Sequence, residues 1–420
     1  MKYSIENICF NLYKSVSPDV VKSIIPVIDL CRKFQNKPPI PLNEKLAKNS
    51  FPNFENEKVI MIHGVSVGEV LSLENLIKKI KEEFPEKKLV ITTGTVTGQE
   101  LAKKKYSEFA DFITYFPLDI YETCKKFLER INPSIILIAE TELWPNFAYA
   151  AKEKEIPLFI INGRISDKSY PSYLKIKNFI SLILDCFTGI YCQSELDMER
   201  FKSLGAKNCE VMKNLKFEID KKTCDIALNQ GNSKVLIAGS THKGEEEVVF
   251  SAYKKLKTKV ENLKLILAPR HLTRLSEVIE TINKYNFNYG FRTKNDDFST
   301  KDVIILDTLG ELSKAYDISD VAFIGGSFNN TGGHNPLEAL IYSKPVISGP
   351  SIKNFRDIYS ILTRENCAFV VKNEEEFYNH LEKLLSDENY YQEISKNCTN
   401  CFSNQQGALE FIINKLKELK

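Results

Sequence analysis

From Lys58 onward the chain alternates short apolar runs with longer amphipathic ones. "KVIMIHG", "KLVITTGT", "DFITYFPLD", "SIILIAETELWP", "IPLFIINGRIS", "FTGIYCQS" and "CEVMKNLKFE" read as strands running into polar turns. "EVLSLENLIKKIKEEFP" reads as one helix stopped by Pro85, and "TGQELAKKKY" as the next. The strands are apolar throughout rather than alternating, which predicts a parallel sheet covered on both faces. The pattern restarts at "KVLIAGSTHKGEEEVVFSAYKKL", followed by the strands "LKLILAPRH", "DVIILDTLGEL", "VAFIGGS" and "KPVISGP". The fold class is therefore α/β, with two doubly wound Rossmann-like domains. We place them at residues 51–220 and 230–420, the second including the terminal amphipathic helix "QGALEFIINKLKELK". "EIDKKTCDIALNQGNS" reads as the linker between them.

Residues 1–50 form a separate helical segment and linker. Val20, Val21, Ile24, Ile25, Val27, Ile28 and Leu30 lie beside Lys22, Arg32 and Lys33. Two readings stay open: a helix lying at a membrane surface, or one packed on its own domain. "NKPPIPLNEKLAKNSFPNFENE" then reads as a linker.

The formal net charge is only +2, so bulk charge does not recruit a polyanion, and no nucleic-acid partner is expected. Ten cysteines lie scattered, mostly inside apolar runs, which fits a reducing compartment better than a disulfide scaffold. Cys398-Thr-Asn-Cys401 has no second pair and no nearby histidine, so it reads as structural. No signal-peptide pattern is visible, and no uncharged apolar run is long enough to span a bilayer.

In open parallel sheets, ligands bind outside the carboxyl ends of the strands. The polar motifs fall there. In the first domain, "HGVSVGEV" puts Glu69 at a strand-to-helix turn. It is either a first-turn capping residue or a base at the edge of a cleft, and the helix N-terminus should favour its ionised form. "AETELWPN" carries Glu140 and Glu142, "NGRISDKS" carries Arg164, and "NLKFE" carries Lys216. Glu69 and Lys216 suit the two walls of a cleft, as base and as fixed positive charge. In the second domain, "GSTHKGEE", "APRH", "DTLGEL", "GGS" and "TGGHNPLEA" gather small donors, Arg270 and His271. The glycine-rich loop before Leu337 should offer backbone N–H groups to a phosphate, and Glu338 should accept from ribose hydroxyls. No Walker motif and no GxGxxG follow a first strand, which disfavours NTPases and dehydrogenases.

The segments "HGVSVGE", "TTGTVTG", "ETELWPN", "NGRIS", "LKFE", "STHKGEE", "PRH", "DTLGEL", "GGS", "GGHNPLEA" and "NQQGAL" occur in this order over roughly residues 60–410. In them the sequence resembles the 3-deoxy-D-manno-octulosonic acid (Kdo) transferases. The resemblance implies a GT-B architecture, two Rossmann-like domains facing a central cleft. It implies inverting, metal-independent transfer of Kdo from CMP-Kdo to a lipid A precursor (lipid IVA) in lipopolysaccharide biosynthesis, with no cofactor. It matches Glu69 to the proton acceptor, and Glu140 and Lys216 to residues that stabilise the transition state. It matches Arg270, His271, Leu309, Gly310, Glu311, Asn335, Pro336, Leu337 and Glu338 to the CMP-binding segments. It implies the cytoplasmic side of the inner membrane as the location.

One departure stands out. Family members commonly begin with a more hydrophobic anchor, whereas here Lys14, Asp19, Lys22 and Asp29 interrupt the segment, so peripheral attachment is expected. The lysine clusters 78–81 and 103–105 are candidate contacts to anionic headgroups, or simply solvated helix faces. The rival enzyme reading is a GT-B transferase or epimerase using a UDP-sugar. A rival of another class is a non-catalytic lipid-binding protein, which leaves the glycine-rich loop without a purpose.

Overall fold

The computed structural model describes residues 5–34, 38–222 and 233–419. Contacts divide the chain into two compact units, residues 1–218 with 406–420, and residues 219–405. Each is built on a seven-stranded, all-parallel sheet.

In the first unit the strands are β1 Val59–Gly64, β2 Lys88–Thr93, β3 Phe112–Tyr115, β4 Pro133–Ala139, β5 Leu158–Gly163, β6 Gly189–Cys192 and β7 Cys209–Val211, ordered 3-2-1-4-5-6-7. Every residue of β1 and β5 is buried, as continuous apolar strands require when helices cover both faces. Alternate side chains feed two cores. Val59 and Met61 pack on one face, Ile60 and Ile62 on the other. The seven strands read from the sequence are all present.

The second unit holds β8 Val235–Thr241, β9 Lys264–Pro269, β10 Tyr289–Phe291, β11 Val303–Ile305, β12 Val321–Ile324, β13 Val346–Ser348 and β14 Ala368–Val370, in the order 10-11-9-8-12-13-14. The two outermost, β10 and β14, are three-residue edge strands that the sequence pattern did not single out. Two Rossmann-like sheets are the components of the expected GT-B class.

Three expectations change. The helix read over 69–85 is two helices, Val67–Ser72 and Glu74–Glu83, joined at Leu73. The segment 36–57 contains a helical turn, Leu42–Lys45. The terminal helix Ala408–Glu418, assigned to the second domain, belongs to the first unit instead. Ala408, Ile412, Ile413 and Leu416 complete the core on the Ile60 face of β1. Glu218 clips the returning chain by accepting from the Gly407 and Ala408 amides at 2.6 and 2.7 Å. Most of the polar linker (residues 223–232) lies outside the described residues.

The N-terminal helix Ile5–Phe34 docks its middle on the first unit. Tyr13 donates to Asp119 (2.9 Å), Lys14 Nζ sits 3.1 Å from the centre of the Tyr121 ring, and Asn146 donates to Ser17 (3.0 Å). Its other face is uncovered. Leu12, Val16, Val20, Ile24, Val27 and Ile28 form an exposed apolar stripe at helical spacing. No described helix is long and apolar enough to cross a membrane.

Candidate active site

Glu69 sits in the first turn of the helix Val67–Ser72, directly beyond β1. Ser66 is the N-cap, and Ser66-x-x-Glu69 forms a capping box. The Ser66 hydroxyl donates to Glu69 Oε1 (2.8 Å) and the Val65 amide to Oε2 (2.6 Å), while the Glu69 amide reaches Ser66 Oγ at 3.5 Å. The carboxylate is thus both a cap and a group fixed at the strand end. The amides at the helix start do pull Glu69 toward ionisation, but burial outweighs them. Burial raises the Glu69 pKa above the usual range, the Val65 amide opposes it, and the negative charge of Glu140 adds to the rise. His63, opening the same motif, is fully buried against the Thr92 carbonyl and hydroxyl. Burial pushes it down to about 3, so it packs as a neutral ring.

Glu140 follows β4, the neighbour of β1. Its φ of 58° is left-handed, a conformation that costs a residue with a Cβ about 1–2 kcal/mol. That turn delivers its carboxylate to two cations: Lys216 Nζ at 3.1 Å and Arg164 Nε at 3.6 Å. Lys216 lies in the short helix Leu215–Phe217 after β7, and Arg164 follows β5. Lys216 is therefore part of the first unit with Glu69, not of an opposing wall. Glu142, two residues on, is pushed up to about 7, by burial first and then by the charges of Glu69 and Glu140. Glu69, Glu140 and Glu142 thus lie within electrostatic reach of one another, with Lys216 and Arg164 facing Glu140. Of the lysine clusters, Lys78 pairs with Glu74, Lys79 with Glu82 and Glu83, Lys81 with Asp111, and Lys105 with Glu74.

In the second unit, the carboxyl ends of three strands, β9, β11 and β12, carry the nucleotide candidates. Arg270 and His271 follow β9. Leu309, Gly310 and Glu311 follow β11: Leu309 is exposed, Gly310 has a φ of 84°, and Glu311 accepts from Arg292 at 3.2 Å and from the Thr308 hydroxyl. Asn335, Pro336, Leu337 and Glu338 lie beyond β12, where the expected helix is a single turn, Leu337–Leu340. Burial raises Glu338, opposed by Lys222, Asn335 and Arg270, so Arg270 and Glu338 lie within electrostatic reach.

The expectation that the glycine-rich loop offers free amides is corrected. The amides of Gly326, Ser327 and Phe328 donate to Glu245 at 2.7, 2.8 and 2.8 Å, and that of Leu337 to Asn335 at 3.1 Å. Gly326, at φ 69°, turns this loop into a nest of N–H groups. Gly325 passes so close to Ser240 that a Cβ would lie 2.4 Å from its carbonyl oxygen. Glu245 also accepts from the His242 amide at 2.9 Å. It was not singled out in the sequence, although "HKGEE" contained it. Nor was the histidine pair, His242 Nε2 to His334 Nε2 at 2.9 Å, which requires that one ring donate to the other. Burial first, then Arg270, pushes His334 down to about 4.

The family model described as 3-Deoxy-D-manno-octulosonic-acid transferase (kdotransferase) matches residues 42–219. Glycosyl transferases group 1 matches residues 239–400. The chain is 31% identical over 371 residues to the 3-deoxy-D-manno-octulosonic acid transferase of Haemophilus influenzae, covering 85% of this chain and 86% of that one. This chain belongs to the Kdo transferase family. It is a glycosyltransferase, as both halves of the resemblance required. A bifunctional glycosyltransferase/methyltransferase of Fusobacterium nucleatum is 39% identical over 368 residues, covering 84% of this chain, and the match spans 57% of that longer protein. Among solved structures, the Neisseria meningitidis UDP-GlcNAc 2-epimerase bound to UDP-GlcNAc superposes with a TM-score of 0.56 at 16% identity, covering 86% of this Kdo transferase and 100% of the epimerase. That likeness is one of fold.

Proposed function

We propose that this Kdo transferase moves Kdo from CMP-Kdo to a sugar hydroxyl of a lipid A precursor (lipid IVA), with inversion and without a metal or other cofactor. The observation that carries the reading is the fixed carboxyl of Glu69 beside the Glu140–Lys216–Arg164 group, in a chain of this family. Glu69 takes the proton of the acceptor hydroxyl as that oxygen bonds to the anomeric carbon of Kdo. The bond from that carbon to the phosphate oxygen breaks, and CMP leaves as a phosphate monoester. A carboxyl raised by burial is a stronger base than a solvated one, which suits the task. Fixed charges and dipoles stabilise the developing charge without reorganising. On this reading Lys216 and Glu140 do so, while Arg270, His271, Leu309–Glu311 and Asn335–Glu338 bind CMP.

The uncovered stripe from Leu12 to Ile28 supports a further part of the proposal, peripheral attachment to the cytoplasmic face of the inner membrane. Flotation with vesicles of anionic lipid should fall for the Val20→Asp/Ile24→Asp double variant, and unchanged flotation refutes the attachment.

The reaction is tested by supplying freshly generated CMP-Kdo and tetraacylated lipid A precursor and reading product by mass spectrometry. Wild type should give the Kdo adduct. Glu69→Gln should lose on the order of 10²–10⁴ in rate while still binding CMP. Absence of wild-type product with intact substrates overturns the assignment and points to UDP-sugars.

A further inference from the structure

A polar pocket of about 160 Å³ opens beyond the C-terminal ends of β4 and β5, lined among others by Glu140, Glu142, Arg164, Ser166, Ser169 and Tyr173. We propose that this pocket is the subsite that holds a hydroxyl-bearing sugar ring of the acceptor, rather than a phosphate of it. The proposal rests on the reaction just described, because it makes the pocket the neighbour of the reacting hydroxyl.

Three observations carry it. The first is position: one wall is Glu140, the carboxylate that pairs with Lys216. A ring seated in the pocket therefore abuts the group assigned to the transition state. The second is charge. Two carboxyl groups line the pocket, while the guanidinium of Arg164 lies 3.6 Å from Glu140. A phosphate entering there meets like charge at short range, whereas a neutral polyol does not. The third is hydrogen-bond chemistry. Sugar hydroxyls both donate and accept, and the wall offers both capacities: carboxylates that accept, a guanidinium that donates, and the hydroxyls of Ser166, Ser169 and Tyr173 that do either. Ser166 already donates to Ser169 at 2.9 Å, so these two hydroxyls are oriented as a pair. Burial first, then Glu69 from the helix after β1 and Glu140 on its own turn, act on Glu142, opposed by the Trp144 side chain, and Glu142 in turn raises Tyr173 of the helix Tyr170–Lys175. With its titration moved to about 7, Glu142 is able to donate to a hydroxyl as a carboxylic acid or accept from one as a carboxylate. The pocket has space on the order of five waters, which the hydroxyl-bearing edge of one ring displaces while replacing their hydrogen bonds.

The test separates the pocket from the reaction. Binding of a deacylated glucosamine disaccharide, with and without phosphate groups, is read by saturation-transfer NMR on the full chain, which needs no catalysis. Steady-state rates are measured in parallel for wild type, Glu142→Ala and Tyr173→Phe. We expect the unphosphorylated disaccharide to bind wild type. Glu142→Ala should raise the acceptor KM about tenfold or more, with a much smaller change in kcat and none in the CMP-Kdo KM. Tyr173→Phe, which removes one oxygen and leaves the packing, should give a smaller rise in the same constant. An unchanged acceptor KM in both variants, a change confined to the donor KM, or binding that requires the phosphates would overturn the subsite. If wild type binds the sugar and Glu142→Ala does not, yet no Kdo is transferred, the subsite stands and the proposed reaction falls. Normal transfer with both variants at wild-type KM leaves the reaction and removes the subsite.

Discussion

Replacing Glu245 should unsettle the second unit and leave the first intact. Its carboxylate is 1% exposed and accepts four backbone N–H groups, from His242, Gly326, Ser327 and Phe328, at 2.7 to 2.9 Å. Truncation to alanine strands all four donors. Each buried donor without a partner costs about 1–3 kcal/mol, so the low end is roughly 4 kcal/mol. That is a large fraction of the 5–15 kcal/mol that typically holds a domain together. Glu245→Gln keeps the shape but turns an NH₂ toward two of the donors, and should cost about half as much. The sequence provides a clean assay. Its single tryptophan, Trp144, lies in the first unit, so fluorescence reports unfolding there, while far-UV circular dichroism reports both units. In urea, Glu245→Ala should lower the midpoint of the circular dichroism transition and leave the fluorescence midpoint in place. Coincident shifts of both probes, or a stability loss below about 1 kcal/mol, would refute the argument that this carboxylate holds the loop.

Two further predictions concern the first unit. The folded state raises Glu142 from 4.5 to about 7, so it binds the proton more tightly than the unfolded chain does. The stabilisation from this group is complete below 4.5 and lost as pH rises through 7. The fluorescence-detected urea midpoint should therefore drop less between about pH 5 and about pH 8 in Glu142→Gln than in wild type, and an equal drop refutes the shift. Deleting residues 406–420 removes Ile412, Ile413 and Leu416 from the core, at roughly 1.5–3 kcal/mol each. Here the Trp144 transition should move to lower urea, and an unmoved one would refute the assignment of this helix to the first unit.

The strands of the first unit were legible because apolar runs such as Ile135–Ala139 carry their own signature. The edge strands β10 and β14 were not, since three residues hold too little periodicity to stand out. Amphipathicity told that Ala408–Glu418 needed a partner surface but not which one, and sequence proximity suggested the wrong unit. The candidate site divides in the same way. That Glu69, Glu140 and Lys216 sit at strand ends was readable. That Lys216 would reach Glu140 depends on the return of the chain after β7, which no local pattern encodes. The rise of the Glu69 pKa was not legible because the amides at a helix start are visible in a sequence, whereas burial, the largest influence here, arises only on folding. Glu245 was hidden for a related reason: three of its four amide partners come from a loop some eighty residues away.

The return of the last helix to the first unit also orders the birth of the molecule. The second unit is one contiguous stretch, 219–405, whose last residue leaves the ribosome before the first unit possesses all of its core. The apolar surface beside the helix Glu74–Glu83 that receives the last helix, with Ile412 and Leu416, must wait, open, until residues 408–416 have been made. The first unit thus begins before the second and is completed after it, and nascent chains ending at Gln405 should expose that surface to proteases and chaperones.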